Sequence, residues 1–397
     1  MRAILINHCH PDTPHVCAVR AREFAGALAA RGHRIVLLTE TLTPDDAAED
    51  PAVFAVRLAA HDWSAPLRLA CRPRGHRILR ALREGRLPAA AGKAVVGGYY
   101  AALGTVFADW GAGARAYFDV LRDGFAPEIV WSNFGNTECL RIAQGLSRRS
   151  GCPWVLDVKD YWTTFIPAPF RAALGRRFGD AAAMTALSEG HVRNIAPFVG
   201  ESHATVIYSG IPEALCAAAP PAAIDRNRIV IAGATYDRAH LDSLLSGIAA
   251  AEGGPFEIDY AGREGEMVRA AADGRAGIAR VTDHGFIPLD RLAALQRGAL
   301  ANAFIRSGPG WFQHKVPELL AAGRPIVCIP GPDTETRRMA ADAAVPLHDC
   351  ENAADVADAL RRIAAAPDVA PDEAFVAGLT WRHRAMLLEG TLQAACR

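Results

Sequence analysis

Lys315 and Glu318 stand three residues apart in the stretch His314-Lys315-Val316-Pro317-Glu318-Leu319-Leu320-Ala321-Ala322-Gly323-Arg324-Pro325-Ile326-Val327. On a helix, residues at that spacing share one face. Leu319, Leu320 and Ala322 give the same helix an apolar side, Gly323 suits its end, and Pro325 opens the apolar run 326–329. A cation and a carboxylate at a helix start can hold a polyhydroxylated anion. The free backbone N–H groups and Lys315 face the anion, and Glu318 accepts from two hydroxyls. A surface helix carrying an ordinary i,i+3 ion pair would show the same letters.

Such a pair does chemistry only if the chain around it supplies a rigid frame. The first forty residues predict one: a strand at 3–6, a polar loop at 8–14, a helix at 16–31 ended by Gly32, and a strand at 35–38. That is a βαβ unit with a parallel sheet. Further strands are predicted at 128–131, 154–157, 181–187 and 204–207, with a helix at 138–148 and Ser188 capping another. Residues 67–121 show little strand character and predict two or three helices. Pro220 and Pro221 mark 217–227 as a linker between a first domain, 1–216, and a second, 228–374. The second domain predicts strands at 229–231, 256–260, 299–304 and 326–329, and helices at 353–364 and 375–396. In open α/β sheets ligands bind beyond the carboxyl ends of the strands. That places the loop 8–16, with His10, Asp12 and His15, and Arg20 just after it, at a ligand edge. The segments after the strands at 128–131 and 154–157, with Asn133, Asn136, Glu138 and Asp160, lie at the same edge.

The stretch from Lys315 to Val327 resembles the donor-site signature of nucleotide-sugar glycosyltransferases of the GT-B type, in particular the large retaining group called family 4. The Arg31-Gly32-His33 helix end and the Asp157-Val158-Lys159-Asp160-Tyr161-Trp162 segment resemble bacterial members that build polysaccharides and lipid-linked oligosaccharides. The resemblance implies an α/β fold of two Rossmann-like domains whose parallel sheets face each other across a cleft, with residues 375–397 crossing back to the first domain. It implies a retaining transferase that moves a sugar from a UDP- or GDP-linked donor to a hydroxyl of a glycan, a lipid-linked sugar or a small molecule. It also implies roles. Lys315 and Arg238 neutralise the diphosphate. Glu318 holds the ribose within the segment His314, Val316 and Pro317. Gly233 and Arg263 sit on Gly-containing turns, and Phe286 and Ile287 bracket the base. Asp160 is the carboxylate near the reacting centre. His10, Asp12, His15, Arg20 and Asn133 face the acceptor. The chain departs from the pattern at Gly310, where many members carry a Glu, and at His15-Val16, where many carry Gly-Gly. A β-branched Val does not take positive φ cheaply, which turns that loop from phosphate toward acceptor.

Composition narrows the classes. With 397 residues, 51% hydrophobic and 22% charged, the chain can bury a large core. Lys+Arg and Asp+Glu are both 43, which argues against general nucleic-acid binding. The nine cysteines show no C-x-x-C spacing, so a reducing cytosol is the expected compartment. The amino terminus is too short in apolar length for a signal peptide, and no run reaches the ~20 residues that span a bilayer. No Asp-x-Asp occurs, and the histidines of the first loop lack metal-ligand spacing, so no metal and no cofactor beyond the nucleotide-sugar co-substrate are expected. Arg72, Arg74, His76, Arg77, Arg80, Arg83 and Arg86 form a basic run read as helical, followed by the apolar stretch 94–108. This pair is either a solvated face with a core helix or a contact for the inner membrane face and a lipid-linked acceptor. Two other readings keep the frame: a nucleotide-sugar 2-epimerase, which needs no acceptor, and a sugar-nucleotide-binding protein without catalysis.

Overall fold

The structure is a computed structural model that describes residues 1–13, 16–43, 50–200, 204–217, 223–235, 237–306, 312–366 and 370–397. The chain divides into two compact units, one of residues 1–209 with 381–397, the other of residues 210–380.

The first unit is built on seven strands: β1 (Arg2–Ile6), β2 (Arg34–Glu40), β3 (Leu67–Cys71), β4 (Ile129–Phe134), β5 (Trp154–Val158), β6 (Ala183–Ala186) and β7 (Ala204–Val206). They are all parallel, in the order β3-β2-β1-β4-β5-β6-β7. Successive residues of a strand point to opposite faces, so a sheet covered on both sides needs continuous apolar strands. Ile4, Ile6, Val36 and Leu38 pack on one face with Phe54, Trp110 and Phe134. Ala3, Leu5, Ile35 and Leu37 pack on the other with Phe24 and Trp131. The carboxyl-terminal helix Trp381–Ala395 completes that second face through Trp381, Ala385, Leu388 and Leu392.

The second unit carries β8 (Asp225–Ala232), β9 (Phe256–Ala261), β10 (Ile278–Asp283), β11 (Ala299–Ile305), β12 (Ile326–Ile329) and β13 (Leu347–Asp349). Its six parallel strands run β10-β9-β8-β11-β12-β13. Leu241, Leu244, Leu245 and Ile248 of the helix Arg238–Ala250 fill its core with Ile229, Ile231 and Ile258. Both sheets share one logic. The chain winds outward from the first strand of the unit, then returns to start on its other side. The turning point lies between β1 and β4 in the first unit and between β8 and β11 in the second, and ligands seat at the carboxyl ends there.

Several predicted elements differ from the observed ones. Strands β3, β10 and β13 were not expected, and a helix at Pro51–Ala60 was also missed. The region read as two or three helices holds β3 as well as the helices Arg77–Arg83, Ala89–Leu103 and Ala108–Arg115. The basic run is helical only over Arg77–Arg83, because Gly75 (φ 68°) and Gly85 (φ 67°) take left-handed backbone on either side. Of the expected linker, 218–222 lie outside the described residues, and β8 already begins at Asp225. The single closing helix expected at 375–396 is two, Glu373–Gly378 and Trp381–Ala395. Between them Thr380 bridges to Ile211, and the Ile211 N–H donates to Leu379 O at 3.0 Å, which uses backbone groups a continuous helix would need.

Candidate functional site

In the second unit, β8 ends at Ala232 and Gly233 follows with φ 88°, a backbone region that favours glycine. The loop is pinned on both sides: Gly233 N–H donates to Ala261 O at 2.8 Å, and the Tyr260 hydroxyl donates to Gly233 O at 3.0 Å. Lys315 caps the short helix Val316–Ala321, whose first turn carries Pro317, where a missing N–H costs nothing, and Glu318. The Lys315 ammonium donates to Ala232 O at 3.0 Å and lies 5.1 Å from the Phe304 ring centroid. A residue following β11 therefore reaches the end of β8 across the turning point of the sheet. A Cβ at Gly233 would come within 3.3 Å of the ammonium, so any other residue there would cover it.

The electrostatics of the pair are unusual. Burial pushes the Lys315 ammonium down to about 8, with Glu318 pulling the other way. Burial pushes the Glu318 carboxyl up to about 7, only partly offset by Lys315. Each charge is held where it is poorly solvated and incompletely compensated. An anion arriving beside Lys315 and hydroxyls arriving beside Glu318 would supply what is missing.

The other residues expected at the donor lie in the same unit. Val316 and Pro317 are buried in the first helical turn, and His314 precedes it half-buried. Arg238 opens the helix after β8, half-exposed and bonded through Nε to Asp242 at 3.1 Å. Arg263, after β9, lies 5.2 Å from the Phe286 ring centroid, and Phe286 is 69% exposed. Ile287 beside it is half-buried. The loop residues 307–310, Gly310 among them, lie outside the described residues. Arg324 of the Gly-Arg-Pro turn donates to Ala299 O at 2.9 Å and Leu300 O at 3.4 Å, so it ties β11 to the helix end.

In the first unit, Asp160 follows β5 and is 22% exposed, held at 2.6 Å by the Lys159 ammonium, whose side chain is 1% exposed. Lys159 was not anticipated. A basic residue beside the candidate carboxylate at a strand end was the available signal. Opposite charge keeps its ammonium well above the usual range although burial opposes it. Glu40, at the end of β2, was missed as well, and burial pushes its carboxyl up to about 7.

Arg20 and Asn133 are not where an acceptor could use them. Arg20 is 1% exposed and clamps Asp157 through Nε and Nη2 at 2.9 and 2.7 Å, while Nη1 donates to Ile207 O at 2.8 Å. Asn133 and Thr185 donate to the same carboxylate at 2.8 and 2.7 Å. The expectation that Arg20 and Asn133 face an acceptor is corrected accordingly. Both are buried beneath the strand ends, satisfying one buried Asp. Asn136 caps the helix Thr137–Ser150, and Glu138 is enclosed with Arg115 and Arg141. Asp12 in the loop after β1 is bonded by Arg68 at 2.9 Å, and its N–H donates to His10 Nδ1 at 3.3 Å. His15 lies outside the described residues. Among the described residues no group of three or more His, Cys, Asp or Glu side chains is placed to hold a metal ion.

No protein-family model matches the sequence, and no curated protein matches it. Solved structures do. Over 99% of this chain and 100% of the other, it is similar to the crystal structure of HepE from Anabaena in complex with UDP, with a TM-score of 0.65 at 13% identity. The glycosyltransferase from Rickettsia africae matches over 100% and 98% with a TM-score of 0.64 at 10% identity. The fold is GT-B. The same fold also serves the UDP-GlcNAc 2-epimerase of Methanocaldococcus jannaschii, similar over 99% and 100% with a TM-score of 0.55 at 10% identity. Among the described residues no helix is long and apolar enough to cross a membrane.

Proposed function

We propose that this chain is a retaining glycosyltransferase of the family 4 kind that moves a sugar from a UDP- or GDP-linked donor to a hydroxyl acceptor without a metal ion, in the assembly of a glycan, glycolipid or natural product. The observation that carries the reading is the under-compensated Lys315–Glu318 pair across the turning point of the second sheet. Its chemistry suits a nucleoside diphosphate: an ammonium for phosphate, and a carboxylate for two ribose hydroxyls. Arg238 releases Asp242 to reach the leaving diphosphate. Gly233 lets the backbone approach, and Arg263, Phe286 and Ile287 receive the base. Asp160 supports the developing positive charge on the sugar or the proton of the acceptor hydroxyl. His10, Asp12 and His15 serve the acceptor, while Arg20 and Asn133 hold Asp157 in place beneath it. HepE, solved with UDP, and the Rickettsia transferase support this reading, and the epimerase of the same fold supports its first rival.

The experiment is incubation with a panel of UDP- and GDP-sugars, with and without hydroxyl acceptors, in EDTA and in Mg²⁺ or Mn²⁺. Sugar transfer that requires acceptor, retains the anomeric configuration and survives EDTA is expected. Conversion of the donor sugar without acceptor would make the chain an epimerase, and binding without turnover would make it a carrier or sensor. Loss of transfer in EDTA with recovery on Mg²⁺ would overturn the metal-free part.

A further inference from the structure

Beside Asp160 sits a second arrangement that glycosyl transfer does not use. Asn7, fully buried at the end of β1, donates one side-chain nitrogen to two carbonyls, Cys9 O at 3.3 Å and Cys17 O at 2.8 Å. One amide thus ties the loop after β1 to the first turn of the helix Val16–Ala30 and brings two cysteines side by side. The Cys9 sulfur faces the His8 ring, with Nδ1 at 3.5 Å, and its interaction with Cys17 together with burial drives the Cys9 thiol far above its usual range. The Lys159 ammonium donates to Cys17 Sγ at 3.2 Å. Cys17 is the second residue of a fifteen-residue helix, at the end where the helix dipole is positive. Neither cysteine is sealed off, since both are half-buried.

We propose that Cys9 and Cys17 are a peroxide-sensitive dithiol, with Cys17 as the attacking thiolate and Cys9 as the thiol that resolves it. The roles follow from the surroundings. A buried ammonium and a helix start both stabilise a thiolate on Cys17, while Cys9 is held as the protonated partner. With a hydroperoxide as oxidant, Cys17 S⁻ attacks one peroxide oxygen. An S–O bond forms, the O–O bond breaks, and the departing hydroxide or alkoxide takes a proton that solvent returns through Lys159. Cys9 then attacks the sulfenic sulfur, the S–S bond forms, the S–O bond breaks, and the hydroxide leaves as water with the Cys9 proton. In sum two thiols are oxidised to one disulfide, and the peroxide is reduced to water and an alcohol or a second water.

The test uses the full chain and reads mass rather than glycosyl transfer, so it stands or falls apart from the function proposed above. Cys396, an exposed cysteine far along the sequence, is the internal control. In timed alkylation with iodoacetamide, Cys17 should react roughly tenfold faster than Cys396 at pH 7, with a rate midpoint at least about one pH unit lower. Stoichiometric hydrogen peroxide should then give a Cys9–Cys17 linked peptide. In Cys9→Ser the same treatment should stop at a Cys17 sulfenic acid trapped by a dimedone probe. Cys396 outrunning Cys17 in the native chain would overturn the proposal, and so would a peroxide-treated chain without the Cys9–Cys17 link.

Discussion

Each unit places a lysine and a carboxylate at the carboxyl edge of its sheet, and the two pairs are solved in opposite ways. In the first unit, Lys159 and Asp160 are adjacent in sequence and bond directly at 2.6 Å. The ammonium is stabilised by that carboxylate and by Cys17, against its burial. In the second unit the Lys315 ammonium donates to a backbone carbonyl, Ala232 O, and among the described residues no side chain hydrogen-bonds Glu318. Burial there wins over mutual attraction for both groups. A pair that satisfies itself positions chemistry. A pair that is left short of partners has affinity in reserve for a ligand that completes it.

The comparison is sharpened first at its self-satisfied extreme, the Arg20–Asp157 clamp, where both side chains have no exposure. Arg20→Met leaves Asp157 a buried anion with only Asn133 and Thr185 as donors. Breaking such a pair from one side costs about 3–5 kcal/mol, to be read from urea unfolding. Nucleotide affinity in the folded fraction should not move. If stability is unchanged, the clamp is not the structural device described above.

The next largest effect is expected at Asp160. Asp160→Asn keeps size and hydrogen bonding but removes the charge, and turnover should fall ~10²-fold or more. Nucleotide affinity by calorimetry should barely change, because the proposed donor anchor, Lys315 with Glu318, belongs to the other unit. Normal turnover, or a variant that only melts earlier, would reduce Asp160 to a partner of Lys159 and break the distinction between the two edges.

What the sequence disclosed follows from the same physics. Central strands such as β1 and β12 are covered on both faces and read as uninterrupted apolar runs, so they were visible. The three missed strands, β3, β10 and β13, all lie at sheet edges. There one side is unpaired, and polar residues such as Arg68, Arg280 and His348 interrupt the pattern. The Lys315–Glu318 spacing was legible because a helix sets it locally. Arg20 could not be told from an acceptor ligand, since its burial depends on Asp157, 137 positions away. Lys159 was not singled out, since its second partner, Cys17, lies 142 positions away.

Glu318 tests the other side of the comparison. Glu318→Ala removes the carboxylate expected to accept from the ribose, a charge-assisted interaction worth about 1.5–3 kcal/mol, so UDP or GDP affinity should fall about tenfold or more. The folded chain should lose little stability, since the carboxylate is poorly compensated before ligand arrives. Unchanged affinity with unchanged stability would mean that the pair holds nothing in reserve.

The smallest effect is also the most specific, because it depends on both shifted groups at once. In the empty chain Lys315 is lowered from 10.5 to about 8, so it loses its proton as pH rises through about 8. Glu318 is raised from 4.5 to about 7, so it gains a proton as pH falls through about 7. The charged pair therefore destabilises the empty fold: stability should fall as pH rises from 4.5 to about 7, where the folded chain retains the Glu318 proton, and recover as pH rises from about 8 to 10.5, where it has already released the Lys315 proton. Binding runs the other way. A diphosphate needs the ammonium and ribose hydroxyls need the carboxylate, so affinity should peak between about 7 and 8 and fall several-fold by pH 6 and by pH 9. Calorimetry of UDP or GDP across that range, in buffers of differing ionisation enthalpy, checks both limbs. Proton uptake on binding is expected above about 8, and proton release below about 7. Lys315→Arg should flatten the alkaline limb, since a guanidinium stays charged, and Glu318→Gln should flatten the acid limb. A profile that is flat in the unaltered chain would show that neither group is strained when empty, and the contrast between the two edges would fail.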